Sequence, residues 1–345
     1  MTSLERVAAT LSHKEPDHVP VYPILSGVTR KLTGASYKEW ATNAEETAKA
    51  MIQSVDEFGI DCLVTLTDLS VEAADFGQEI VYPENEAAHP NYDNQFLQDI
   101  EDYDKVKHID PRTTPRMSDH IKLCDLLVKA KGKTTPVVAF IFGPLGILSM
   151  LRGQEDLYMD LYDDPDAVHK ALTTITDVLI DYSDALIETG INAIMVDTLF
   201  ASSVIMSKEM WSEFEGPHVK RWADHVHSKG CMVMIHNCGN GVYFDVQIEA
   251  MHPQAISFLH VPADCASFEE CKEKYGKDIT LIGCVSPTWI ATASVEEVIE
   301  ESKHEIDLFK QGGGFMLATG CEYPANTAFD NAKAMIEVAK TYGRY

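Results

Sequence analysis

MVMIHNCGNG, residues 232–241, is the stretch on which the reading of this chain turns. With Cys231 before it, it opens as a buried strand, then ends in His236-Asn-Cys238 and a glycine-rich turn. Side chains alternate faces along a strand, so His236 and Cys238 point the same way. An imidazole and a thiolate side by side at a strand's end suit a borderline-soft divalent metal such as zinc. A second strand-like run, Gly314-Phe-Met-Leu-Ala-Thr319, ends the same way in Gly320-Cys321. One His and two Cys at two strand ends make a candidate catalytic zinc site, with three protein ligands and one position open. The bland alternative is a hydrogen-bonded core histidine and two packing cysteines.

Outward from these two runs, short apolar segments with β-branched residues recur over 19–25, 60–66, 137–141, 193–197, 232–236, 255–260, 280–285 and 315–319. Helical patterns lie between them, for example over 165–188, 210–229, 295–311 and 328–341. Asp164 before Pro165 reads as a cap with proline at the first helical position. Ser294 caps a helix with an acidic first turn, and Gly230 reads as a stop. A length of 345 residues fits two average domains or one large barrel. Regular strand–helix alternation predicts parallel pairing and a single α/β domain over 1–345, a (β/α)8 TIM barrel. Residues 81–134, rich in Pro, Asn, Asp and Tyr, break the rhythm after the second strand. They read as an insertion near the barrel mouth. Residues 1–16 predict a helix on the barrel's outside or across its bottom.

Chemistry in such a barrel sits at the C-terminal ends of the strands. Polar residues at those ends are Asp68 and Glu72 (second strand), Asp197 (fourth), His236 and Cys238 (fifth), His260 (sixth), Cys284 and Ser286 (seventh), and Cys321 and Glu322 (eighth). Asp197 orients a ligand, acts as a base or caps the next turn. Asp68 and Glu72 contact a cofactor or form a solvated helix start. A structural zinc would want a fourth, closing ligand, for which His260, Asp264 and Glu322 stand nearest.

The formal net charge is −26. Such a polyanion repels nucleic acid and anionic lipid, which excludes both as main partners. The eight cysteines are scattered without a secretory context, so no disulfide framework is expected. No apolar run is long enough to span a bilayer, and the opening MTSLERVAATLSHKEP lacks the form of a signal peptide. A cytoplasmic location is the expectation.

With those residues in hand, the chain resembles the uroporphyrinogen decarboxylase superfamily over nearly its whole length. Glu5-Arg6 with Lys14-Glu-Pro-Asp-His-Val-Pro20, Thr67-Asp-Leu-Ser-Val-Glu-Ala-Ala74 and Phe142-Gly-Pro-Leu-Gly146 carry the resemblance. Asp197-Thr-Leu-Phe-Ala-Ser202, His236-Asn-Cys-Gly-Asn240 and Gly320-Cys321 look like its zinc-dependent, corrinoid-linked methyltransferase branch, typified by the methylcobamide:coenzyme M methyltransferases. The resemblance implies His236, Cys238 and Cys321 as zinc ligands. Asp68, Glu72 and Ser202 are its cofactor-binding candidates, and Asp197 and His260 its catalytic ones. Some relatives offer a carboxylate near the end of the sixth strand as a displaceable fourth ligand. Here Ser257-Phe-Leu-His260 supplies no acid before Asp264, so His260 or water takes that place.

The implied activity is methyl transfer between a methyl-corrinoid and a small thiol or methoxylated substrate. No Asp-X-His-X-X-Gly segment for corrinoid binding occurs, so a partner corrinoid protein would carry the cobamide. Decarboxylation of a porphyrinogen is the runner-up. It needs a basic pocket, for which the N-terminal region has Arg6, Arg30, Lys31 and Lys38. A zinc-stabilised corrinoid-binding or scaffold protein is the non-enzymatic alternative, favoured by a closed four-ligand site.

Overall fold

Two prolines decide how the barrel closes. In Val19-Pro-Val-Tyr-Pro23 neither proline has an N–H to give to a ladder, so pairing is confined to the residues between them. The computed structural model, which describes residues 1–84 and 86–345, shows this outcome. Val21 forms a single parallel bridge to Leu317. Leu317 N donates to Pro20 O (2.9 Å), and Tyr22 N donates to Leu317 O (2.8 Å). On the other side Asp61 N donates to Val21 O (2.9 Å), and Val21 N donates to Asp61 Oδ2 (2.9 Å). The strand expected over 19–25 is therefore one bridge, wedged as a seam between its two neighbours.

The strands are β1 (Leu63–Val64), β2 (Ile80–Val81), β3 (His89–Pro90), β4 (Val137–Phe142), β5 (Ala193–Asp197), β6 (Met232–Asn237), β7 (Ala255–Phe258), β8 (Thr280–Val285) and β9 (Phe315–Thr319). Seven form one sheet in the order β1-β4-β5-β6-β7-β8-β9, every pair parallel. The seam at Val21 joins β9 to the start of β1, which completes the expected (β/α)8 barrel. β2 and β3 make a separate antiparallel hairpin.

Alternation sorts the strand residues into two cores. Cys62, Val64, Leu66, Val138, Phe140, Ala193, Met195, Met234, Ala255, Ile282, Met316 and Ala318 fill the barrel interior. The opposite parity packs under the helices. Val7 joins the interior group from the helix Ser3–Leu11, and Thr280 Oγ1 donates to Thr10 O (3.2 Å). That helix thus closes the bottom. No helix among the described residues is long and apolar enough to cross a membrane.

Local signals place the helices. Asp164 accepts from Ala167 N (3.1 Å) at the start of Pro165–Glu188, and Ser294 with Glu297 forms a capping box on Val295–Phe309. The helix expected over 210–229 is two, Lys208–Phe214 and Gly216–Ser228, because Pro217 at the start of the second has no N–H to continue the first. Residues 81–134 divide likewise. The β2–β3 hairpin and the 3-10 helix Ile100–Lys105 lie outside the barrel rhythm. The helix Pro115–Lys131 packs on Ala44–Phe58 and on β4 as part of the outer ring. Asn85 lies outside the described residues.

Asp61 is 1% exposed and holds the seam from both sides, since its Oδ1 also accepts from Arg6 Nη1 (2.7 Å). Asp61→Ala should leave a buried guanidinium half-paired and the Val21 N–H without a partner. A loss of about 3–5 kcal/mol is expected. Urea unfolding followed by circular dichroism checks it, with Asp61→Asn expected to lose less.

Candidate metal centre

The interior parity continues past the apolar layers to the mouth of the barrel. Asp197 follows Met195, His236 follows Met234 and Ser257 follows Ala255, each two residues further along its strand. Parallel register sets the three side by side: Asp197 pairs with His236, and His236 with Ser257. His236 is 1% exposed, and its Nδ1 shares a hydrogen bond with Ser257 Oγ (3.0 Å). That contact fixes the ring and leaves Nε2 for the mouth. The Phe140 ring lies 5.8 Å from the imidazole and forms an apolar wall.

Cys238 follows β6 by one residue. Asn237, pointing away from the interior, donates through Nδ2 to Thr198 O (2.6 Å) and accepts through Oδ1 from Gly239 N (2.9 Å). The turn is thereby tied to the loop after β5. A Cβ on Gly239 would lie 2.6 Å from Ser202 Oγ, so only glycine lets the turn approach Ser202 this closely. Cys321 arrives from β9 in the same manner. Gly320 N donates to Val285 O (2.9 Å), and a Cβ there would lie 2.7 Å from Leu259 Cα.

These turns bring His236, Cys238 and Cys321 together, with one ligand atom from each within 4.8 Å of the others. A tetrahedral zinc needs ligand spacings of about 3.4–3.8 Å, a small contraction from this arrangement. Both sulfurs are half-buried, and all eight cysteines are free. The Cys238 thiol donates toward Cys321, and His236 also hydrogen-bonds it; together they hold Cys321 below the usual thiol range against the cost of its burial. Cys238 is pushed up by the same bond, then by burial. Two soft donors this close share a proton, so the two sulfurs titrate as one unit.

The other predicted residues divide around this trio. Asp197 is 3% exposed, its carboxyl raised to about 7 by burial, with His236 opposing and Cys321 adding to the shift. Its Oδ1 has no hydrogen-bond partner. Ser202 is buried against the Cys238 turn, where it bridges to Val242. Asp68 turns away: its Oδ1 accepts from Ser70 N (2.8 Å), and its Oδ2 pairs with Arg116 Nη2 (2.7 Å). Glu72 accepts from Phe142 N (3.2 Å) and is raised to about 8 by burial. His260 is exposed beyond the end of β7 and is not in the ligand group. Asp264 bonds Lys274 Nζ (2.6 Å) and the Tyr275 hydroxyl, and Glu322 accepts from Gly27 N (2.9 Å). Among the described residues no fourth side chain joins the trio.

Two residues at the site escaped the sequence reading. Ser257 could have been found, because a polar residue opposite His236 on the inward face is the natural partner for its second nitrogen. Tyr22 could not, because its hydroxyl enters the interior only through the seam. It is 2% exposed, lacks a hydrogen-bond partner, and is raised well above the usual phenol range by burial and by the neighbouring Cys62 and Cys321.

Comparison with known proteins agrees with this architecture. The methylcobamide:CoM methyltransferase MtbA of Methanosarcina mazei is 23% identical over 348 residues, covering 99% of this chain and 98% of its own. The methylcobamide:CoM methyltransferase MtaA of Methanosarcina barkeri is 24% identical, covering 98% and 97%. A uroporphyrinogen decarboxylase of Anaeromyxobacter dehalogenans is 20% identical, covering 98% and 99%. A solved methyltransferase from Methanosarcina mazei has the same fold, with a TM-score of 0.84 at 22% identity over 99% of both chains. The profile of the uroporphyrinogen decarboxylase (URO-D) family matches residues 2–342, and the chain belongs to that family.

Proposed function

We propose that this protein is a zinc-dependent methyltransferase. It moves a methyl group between a corrinoid carried on a partner protein and a small thiol or methoxylated substrate. The observation that carries the reading is the trio at the barrel mouth: one nitrogen and two sulfurs within 4.8 Å, with no fourth side chain among the described residues. Relatives named as methylcobamide:CoM methyltransferases over the full chain support it. So does the chemistry of the donor set. Three ligands with one open position mark a catalytic zinc, whereas a scaffold role would want a closed site.

When bound, zinc would supply a thiolate from a substrate thiol near neutral pH, or polarise an ether oxygen. His236, Cys238 and Cys321 would hold it. Ser257 keeps the His236 ring in place through Nδ1, and Cys238 and Cys321 bring the two soft sulfur donors such a metal prefers. Asp197 borders His236, close enough to orient a ligand at the open position. Phe140 and the interior layers beneath exclude water from that side. In the thiol direction the substrate sulfur forms a bond to the methyl carbon, and the carbon–cobalt electron pair stays on cobalt(I). The thiol proton leaves to solvent.

Ser202 holds the Cys238 turn in this reading, while Asp68 and Glu72 anchor the mouth at β1 and β4. The chain acts as one unit, and of the 81–134 stretch only the part around Glu86 and Ala87 borders the mouth, while its helix Pro115–Lys131 belongs to the outer ring. Glu86 and Ala87 line a cavity of 230 Å³ with Tyr37, Glu322 and Tyr323. Porphyrinogen decarboxylation is less well supported. Arg6 lies at the bottom of the barrel, paired with Asp17 and Asp61, and Lys38 sits over the Tyr82 ring.

Elemental analysis of purified protein should find one zinc per chain. Cys238→Ala and Cys321→Ala should each abolish it without loss of barrel circular dichroism, because backbone ladders, not the metal, hold the strand ends. Retained stoichiometric zinc in either variant would overturn the ligand assignment. Ser257→Ala keeps every ligand, so a competition titration should show zinc bound roughly 10–100-fold more weakly. Methylcobalamin offered with a panel of thiols should change colour as methyl-cobalt(III) becomes cobalt(I), and pre-reduced cobalt(I) cobalamin offered with methoxyarenes should show the reverse. The change should require zinc and vanish in His236→Ala. Uroporphyrinogen decarboxylation without corrinoid turnover would hand the assignment to the runner-up.

A further inference from the structure

Buried polar groups in native proteins almost always find partners, because a hydroxyl left dry loses its hydration without compensation. Tyr22 OH and Asp197 Oδ1 both break this rule inside one barrel mouth. They come from different parts of the wall, the seam and β5, the third strand round from it. Tyr22 lies in the seam that pairs with β9, the strand whose end carries Cys321, and Asp197 pairs with the ligand His236. Cys62, the other neighbour of Tyr22, is turned toward its own strand, with Sγ on Leu63 O (3.9 Å). The side chain itself belongs to the buried interior cluster that also holds Ile24, Cys62, Leu66 and Ala318. Phenylalanine would fill the same space without the unpaired hydroxyl, so packing does not account for a tyrosine.

We infer that the Tyr22 hydroxyl contacts substrate: it donates a hydrogen bond to the sulfur or oxygen atom of the small molecule that binds beside Cys321. The inference rests on the proposed function above and adds a substrate contact to it. In the resting protein the donor is unsatisfied, and the substrate heteroatom satisfies it on binding. A site with a buried unpaired donor rejects molecules that lack an acceptor, because the donor then stays dry. Tyr22 therefore selects for a thiolate or ether atom over an apolar group of equal size. The arrangement also trades stability for binding, so removing the hydroxyl should not harm the fold.

Tyr22→Phe and the wild-type full chain, both zinc-loaded, are compared by calorimetric titration with 2-mercaptoethanol. Thermal unfolding of the metal-free proteins is measured alongside. The variant should keep one zinc, melt at the same or a higher temperature, and bind the thiol roughly tenfold or more weakly. With methylcobalamin as donor its KM for the thiol should rise. Equal thiol affinity in the two proteins overturns the inference alone. A lower melting temperature in the variant also overturns it, since the hydroxyl would then hold the fold. A wild-type protein that binds neither zinc nor thiol overturns both this inference and the proposed function.

Discussion

Closure of the ring at Val21 is the constraint on which the rest of the molecule depends. The seam is one residue deep, because Pro20 and Pro23 withhold the N–H groups that a longer strand would offer. Asp61 compensates by accepting from both Val21 N and Arg6, which ties the seam to β1 and to the bottom helix. The same seam borders β9, whose end carries Cys321, and it puts Tyr22 into the interior. The geometry of the mouth therefore follows from how the barrel closes, not only from the residues lining it.

The mouth is fixed by carboxyl groups, three buried and Glu322 half-buried, as much as by strand ladders. Glu72 accepts from Phe142 N, Glu215 from Leu145 N, Glu305 from Cys284 N and Glu322 from Gly27 N. Burial raises all four, to about 8, 7, 8 and 7 respectively. A carboxyl accepts an N–H bond in either protonation state, so such anchors work without a cation beside them. Phe142 and Cys284 lie in the last two residues of β4 and β8, and Leu145 and Gly27 in the turns that follow β4 and the seam, where backbone groups run out of ladder partners. They account for acidic residues near the mouth that bear on no metal.

Membership of the uroporphyrinogen decarboxylase family constrains the fold more than the chemistry, because one barrel hosts different reactions at its mouth. What sets this chain's chemistry is the small group of side chains above the interior layers. Two glycines, Gly239 and Gly320, let the cysteine turns come close to Ser202 and Leu259. A methyl group at either position would push a sulfur away from the imidazole. The donor set is thus held by sterics at its flanks and by Ser257 at its centre.

The strand–helix order, the caps at Asp164 and Ser294, and the shared face of His236 and Cys238 were legible in the sequence, since each depends on residues a few positions apart. Periodicity and capping are local, and local pattern is what a sequence states directly. The proline spacing also limited the first strand, although only pairing at Leu317 and Asp61 made that visible. Other features belong to the tertiary structure alone. Cys321 meets His236, Tyr22 enters the barrel interior with its hydroxyl unpaired, His260 stands outside, and Asp68 is drawn off by Arg116. The helix over 115–131 likewise joins the outer ring despite its loop-like surroundings. These outcomes depend on which strand ends the closed, staggered ring sets side by side, and on which charges its helices bring near them. That stagger is set by the packing of all the strands at once, so no single stretch of sequence specifies it.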